Sequence, residues 1–167
     1  MSISISGSPT AGAPAPAGLG EWEHLTRQAL AAERCGQGAL AGCLHRRALV
    51  LALSLLQSGR ASGPSADSRM AAFVVTHLNL ADLHACAGEI DAAVDHLGAA
   101  HRTLMALLRD AQAGPALQQA ALRHSRETHA ALLAHLSAHG SHPGIVAALQ
   151  AGIQPFPLAA QHAITVH

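Results

Sequence analysis

The hydrophobic residues of this chain recur three and four positions apart along most of its length. That spacing lines one face of an α-helix. The residues that build sheets are scarce, since aromatic residues make up only 2 % of the sequence. The pattern therefore predicts an all-α protein. We expect about six helices, over residues 21–35, 39–57, 69–87, 90–109, 115–139 and 143–151.

Glycine, proline and serine mark the expected ends of these helices. Gly36 and Gly88 interrupt the apolar pattern, and Pro115 suits a first helical turn, where its missing N–H is not needed. Ser68 is the expected N-cap of the third helix. Gly140 is the expected left-handed C-cap of the fifth. Because the connections are short, the helices should form antiparallel hairpins over residues 21–57, 68–109 and 115–151.

The first two predicted hairpins share a pattern of small residues with spacings of seven, five and seven. Small side chains let paired helices approach closely, and glycine allows the chain to turn. The two copies lie 52 residues apart and are Ala29, Gly36, Ala41 and Ala48 in the first and Ala81, Gly88, Ala93 and Ala100 in the second. The pattern indicates one supersecondary unit repeated twice.

This repeated unit resembles the tetratricopeptide repeat, whose pattern is W-x2-L-G-x2-Y followed by A-x3-F. In the second unit the matching residues are His77, Leu80, Ala81 and His84, then Ala93 and Leu97. In the first unit the corresponding places belong to Leu25, Ala29, Ala41 and His45. The chain departs from the pattern in its longer spacing and in having Met105 where the second unit would close with proline. The resemblance implies stacked hairpins that form a short superhelix.

The same resemblance implies a protein-interaction module without enzymatic activity or cofactor. In tetratricopeptide proteins the first helix of each hairpin lines a concave groove that holds a peptide or a partner helix. The corresponding residues of this chain are Arg27, Leu30, Val75, Asn79 and Asp82. Asn79 is expected to bond the backbone of a bound peptide, and Arg27 to contact acidic residues of the partner.

Charge and targeting signals narrow the expected partners and location. Acidic and basic residues balance at ten each, so no basic field is available for nucleic acid or an anionic membrane. The most apolar window, residues 48–56, is about half as long as a membrane crossing. Residues 1–20 have no basic region and no continuous apolar segment, so no secretory signal is expected there, and an odd count of three cysteines predicts no disulfide framework. We expect a soluble protein of the bacterial cytoplasm.

Thirteen histidines raise the alternative of a metal-binding helical protein. The best candidates are His135, His139 and His142, because the first two lie on one helix face and the third follows the next turn. Packed imidazoles are the favoured interpretation of the others that fall at repeat positions, which are His45, His77 and His84. The cysteines are expected to be inert packing thiols at Cys35, Cys43 and Cys86.

The two ends of the chain differ in composition from the rest. Residues 1–19 are mostly Ser, Gly, Ala and Pro, and are expected to form a disordered arm before a helical domain over residues 20–153. Residues 154–167 form a tail in which Phe156 stands between two prolines. Phe156 could dock in the groove of its own chain or of a second subunit, which would make a homodimer.

Overall fold

The computed structural model describes residues 18–58 and 63–153, and this part of the chain is all-α, as predicted. It contains no strand. The predicted N-terminal arm up to residue 17 and the whole predicted C-terminal tail, residues 154–167, lie outside the described ranges. The helices are α1 (Leu19–Arg34), α2 (Gly38–Gln57), α3 (Ala66–Cys86), α4 (Ile90–Arg109), α5 (Pro115–His139) and α6 (Pro143–Ile153).

The N-terminus of α3 lies three residues earlier than its pattern predicted. Ser65 is the N-cap, and its Oγ accepts the Ser68 N–H at 3.0 Å. The prediction of Ser68 as the N-cap is therefore wrong. Ser68 stands one turn further on, where its backbone supplies the N–H that a capping side chain accepts. From the sequence alone, either Ser65 or Ser68 could have been the N-cap, because serine favours that position.

The α1–α2 and α3–α4 turns have the same geometry. Gly36 and Gly88 have φ values of +71° and +77°, a region that glycine adopts without a steric cost. Each turn also closes with the pair of hydrogen bonds that defines a Schellman motif. The wider of these bonds joins Gln37 N to Ala32 O at 2.8 Å and Glu89 N to His84 O at 2.9 Å. The predicted repeat is therefore present in the backbone.

The alanines of the repeat are the contact points of the two hairpins. All six are at most 2 % exposed. With no side chain beyond Cβ, they bring α1 against α2 and α3 against α4 at short range. Further packing of α2 on α3 and of α4 on α5 builds one continuous array. Within it, α3 and α4 contribute most of the large buried side chains, including Met70, Phe73 and Leu104.

The last two helices are arranged differently from the first four. α6 packs mainly against α4 and shares few contacts with α5. Gly144 lies so close to Val94 of α4 that an added Cβ would be 2.6 Å from Val94 Cγ1. Further along, the Arg109 guanidinium donates to the Ala151 carbonyl. Both α5 and α6 therefore rest on α4.

α2 is the helix whose length and composition would also allow a membrane crossing, and no other described helix meets that test. A core helix of a globular domain passes the same test. The inner face of α2 is packed, since His45, Ala48 and Ala52 are fully buried. Its outer face leaves Leu40 and Val50 exposed.

Candidate functional site

The predicted groove residues lie on α1 and α3. Arg27 and Asp82 are exposed, whereas Leu30, Val75 and Asn79 are half-buried. Of these five, Asp82 alone lines the two cavities that flank the C-terminal half of α3. The sequence predicted only that Asp82 lies on the groove side of α3, and the structure places it at both cavities.

One cavity lies between α3 and the α1–α2 turn. Its volume is about 490 Å³, and its walls include Glu33, Gly36, Asp82 and Cys86. A second cavity of about 220 Å³ lies between α3 and α5, with Asp82, His135 and His139 on its walls. Asp82 belongs to both, so the two cavities meet at its side chain. We name this region the Asp82 site: Glu33, Asp82, His135 and His139.

The electrostatics of the Asp82 site favour a positive charge. Partial desolvation raises the pKa of Asp82, and the Glu33 carboxylate raises it further, whereas His135 acts in the opposite direction. Two acids facing one another repel, and a cation placed between them relieves that repulsion. Glu33 was not among the predicted groove residues. It lies three residues after Leu30, a helical spacing from which it could have been found.

Glu33 is held in place from the other side by a buried histidine. His45 of α2 is 0 % exposed, and its Nε2 lies 2.7 Å from Glu33 Oε1. This contact orients one oxygen of the carboxylate toward α2. It also explains how an imidazole is accommodated at a repeat position that Leu97 occupies in the second hairpin. The predicted burial of His45 is confirmed.

Asn79 has an unused hydrogen-bond donor. Its Nδ2 is buried and has no hydrogen-bond partner among the described residues. A buried amide group without a partner is costly, so such groups are normally satisfied by protein, water or ligand. A peptide carbonyl would satisfy the Asn79 amide.

The histidines of the metal-binding alternative do not converge on one point. His135 and His139 are adjacent, with ring centroids 4.4 Å apart. His142 is engaged at both nitrogens, since Nε2 lies 2.9 Å from Asp91 Oδ1 and Nδ1 accepts the Gly144 N–H. Burial lowers the pKa of His135, with smaller contributions from His139 and His142. No group of three or more metal-ligating side chains is arranged around a common point in residues 18–58 and 63–153.

The second hairpin contains a row of three imidazoles that sequence spacing did not reveal. His77 Nδ1 lies 3.2 Å from His96 Nδ1, and the His96 ring stacks on His84 at 5.5 Å. His84 in turn bonds Glu89 Oε2 at 2.5 Å. Burial lowers the pKa of His77 to about 4, and His96 adds to this effect. His77 is buried as predicted, whereas His84 is only half-buried.

The cysteines differ from expectation. Cys35, Cys43 and Cys86 are all exposed free thiols. Their prediction as packing thiols is wrong, because the buried core positions of these helices are taken mainly by alanine and leucine. Phe156, the residue expected to dock in a groove, lies outside the described residues.

Comparison with protein families gives a match to one family over most of the chain. A family profile described as "Protein of unknown function (DUF2753)" matches residues 20–161. The chain belongs to this family. The DUF2753 match covers all six helices except the first residue of α1, and it includes the Asp82 site. It does not identify a tetratricopeptide family, so that resemblance stays a prediction. No match was found among curated proteins or among solved structures.

Proposed function

We propose that this DUF2753 protein is a non-enzymatic, tetratricopeptide-like interaction module that binds an extended segment of a partner protein across α1, α3 and α5. The observation that carries the proposal is the Asp82 site, where Asp82 lines a cavity on either side of α3 and shares the larger one with Glu33. The repeated hairpins support it, because they form a rigid frame on which a groove can be built.

The chemistry of the site suggests the sequence of the partner. Asp82 and Glu33 would receive a lysine or arginine side chain, since a cation removes their mutual repulsion and regains a charge-assisted hydrogen bond. Asn79, whose buried amide lacks a partner in the described structure, would donate to a backbone carbonyl of the same segment. Exposed Arg27 would contact an acidic residue further along, and half-buried Leu30 and Val75 would contact apolar side chains.

The proposal includes a location in the bacterial cytoplasm and partners other than nucleic acid and membrane. Three exposed free thiols favour a reducing compartment. The even balance of ten acids and ten bases supports a protein or peptide partner.

Selection from a displayed peptide library tests the proposal directly. The selected peptides should be enriched in lysine or arginine, and Asp82→Asn should weaken their binding at least about tenfold, the cost of one charge-assisted contact. Glu21→Gln is the matched control, because Glu21 is an exposed acid in the first turn of α1. The control should bind like the unmodified protein.

A second variant separates binding from folding. Asn79→Leu removes the unpartnered amide, so the protein should be as stable as before or more stable. Its affinity for the selected peptides should nevertheless fall. Peptides without basic residues, or equal affinity for the unmodified protein and Asp82→Asn, would disprove the proposed site.

A further inference from the structure

The cleft between α5 and α6 is a direct result of the way both helices rest on α4. Because they share few contacts with each other, a space of about 420 Å³ remains between them. Its floor is formed by His101 and Met105 of α4. This volume falls within the range of small-molecule binding sites. We name it the α5–α6 cleft.

The floor of the cleft holds a hydrogen-bond acceptor without a partner. His101 is 2 % exposed, and its Nδ1 lies 2.8 Å from Thr128 Oγ1. We assign the Thr128 hydroxyl hydrogen to the Ser125 carbonyl, 3.1 Å away, which leaves the Thr128 oxygen to accept from His101. With this assignment, Nδ1 carries the hydrogen and Nε2 carries the lone pair.

His101 Nε2 lies beside Gly152 at the edge of the cleft. Nε2 is buried and has no hydrogen-bond partner among the described residues. A Cβ added to Gly152, which also lines the cleft, would lie 3.3 Å from it. Burial lowers the pKa of His101, and neighbouring His129 lowers it further, so the ring stays neutral at pH 7. The cleft thus offers a fixed acceptor to a ligand N–H or O–H group.

The walls of the cleft add a cation and apolar surface. Arg126 lies on the α5 side and is exposed, with its guanidinium available for a carboxylate. Leu133 from α5 and Leu149 from α6 face the same space as Met105. A buried acceptor, an accessible guanidinium and three apolar side chains define what fits. A ligand that uses all of these groups combines a hydrogen-bond donor, an anionic group and a compact apolar body in one molecule.

We propose that the α5–α6 cleft binds a small aromatic carboxylic acid with one N–H or O–H donor. The donor bonds His101 Nε2, the carboxylate pairs with Arg126, and the ring packs on Met105, Leu133 and Leu149. This site lies on a different face of α5 from His135 and His139, so it does not depend on the Asp82 site. It adds a small-molecule ligand to the proposed partner binding.

Matched pairs of probes test the donor. Indole-3-acetate and 4-hydroxyphenylacetate each carry one ring donor and one carboxylate, whereas 1-methylindole-3-acetate and 4-methoxyphenylacetate lack the donor. The full chain, labelled with ¹⁵N, is titrated with all four acids. We expect saturable binding of at least one donor-bearing acid, at least tenfold weaker binding of its methylated partner, and a change in the His101 Nε2 signal.

Three variants test the residues without altering the core. Gly152→Ala places a methyl group against His101 Nε2, and Arg126→Gln removes the guanidinium. Each variant should lower the affinity for the acid at least tenfold. Arg123→Gln is the matched control, because Arg123 lies on the same helix but pairs with Asp67 at 3.1 Å. The proposal is overturned if neither donor-bearing acid binds, if methylation has no effect, or if Gly152→Ala and Arg126→Gln bind like the control.

Discussion

The first four helices form two hairpins and the last two helices do not, although the connections within all three pairs have the same length. Residues 35–37, 87–89 and 140–142 each join two helices, and each includes a glycine. In the first two connections the glycine is the second residue and closes a Schellman turn. In the third it is the first residue, with φ of 84° and ψ of −174°. The first two turns bring their helices together, whereas the third sends α6 onto α4.

This difference shows that loop length alone does not make a hairpin. The Schellman turn reverses the chain so that two alanine faces meet, as at Ala81 and Ala93. The third connection instead leads into α6 so that Gly144 packs closely against Val94 of α4. Its consequence is an open cleft beside α5, at the place where a third hairpin would have buried its helices against each other.

The largest expected effect is a pH dependence of the free energy of unfolding that comes from the second hairpin and not from the first. Leu25 occupies in the first hairpin the repeat position that His77 occupies in the second, and both are buried. The folded state keeps His77 neutral with a pKa of about 4, whereas the unfolded chain takes up a proton below pH 6.5. The stability is therefore complete above pH 6.5 and decreases as pH falls toward 4, by about 3 kcal/mol in all.

His77→Leu, which copies the first hairpin, should remove that part of the pH dependence. Urea unfolding at pH 7.5 and pH 5 measures it, and the unmodified protein should lose about 2 kcal/mol more than the variant between the two. His24→Gln, at an exposed site of α1, is the control and should follow the unmodified protein. Parallel pH profiles for His77→Leu and the unmodified protein would contradict the assignment.

The second prediction tests the two kinds of turn. Asparagine tolerates the left-handed helical region, so Gly88→Asn should cost below about 1 kcal/mol. The φ and ψ of Gly140 lie in a region that is essentially restricted to glycine, so Gly140→Asn should cost about 2 kcal/mol. Chemical unfolding of the two variants compares them, and equal losses would show that the turns do not differ as described.

Gly140 also corrects an expectation. It has the positive φ predicted for a left-handed C-cap, but its ψ places it outside the left-handed helical region.

The third prediction concerns the close approach of α6 to α4. Gly144→Ala would place Cβ 2.6 Å from Val94 Cγ1. Val94 is buried and β-branched, so it cannot rotate away freely. The variant should lose about 1.5 kcal/mol, the cost of overpacking less the helix preference of alanine.

Gly38→Ala provides the matched control, because nothing lies within 4 Å of the added Cβ. It should be as stable as the unmodified protein or slightly more stable. Hydrogen exchange should increase in α6 for Gly144→Ala alone. Unchanged exchange there would show that α6 is not held by this contact.

The smallest expected effect is that of the ion pair between α4 and the connection that precedes α6. His142 Nε2 lies 2.9 Å from Asp91 Oδ1, but the aspartate side chain is 95 % exposed. Exposed pairs contribute little, so Asp91→Asn should change the free energy of unfolding by less than about 0.5 kcal/mol. A larger loss in chemical unfolding would mean that charge, rather than packing at Gly144, fixes α6.

The repeat was predictable because its determinants are local. Gly36 and Gly88 each set a turn by their own backbone freedom, and the alanines mark helix faces at fixed spacings. The third pair was expected to form a hairpin on the same evidence of a short connection. The displacement of Gly140 by one place in its connection was visible in the sequence, but its effect on the path of the chain was not.

The Asp82 site was only partly predictable. Asp82 followed from its place on α3, but its pairing with Glu33 depends on the distance between α1 and α3. His135 was considered as a metal ligand and instead faces Asp82 across a cavity. Neither relation is encoded in spacing along one helix, because each joins residues about 50 positions apart in sequence.

By itself, the sequence determined the helices, their approximate ends and the repeated small-residue turns, because these depend on backbone preferences and on periodicity within a few residues. The tertiary structure decided which polar groups meet. The facing acids of the Asp82 site and the unpartnered His101 nitrogen both arise from how helices pack across long sequence separations. Burial and pKa follow from that packing, so the candidate chemistry of this protein could be located only once its helices had been placed.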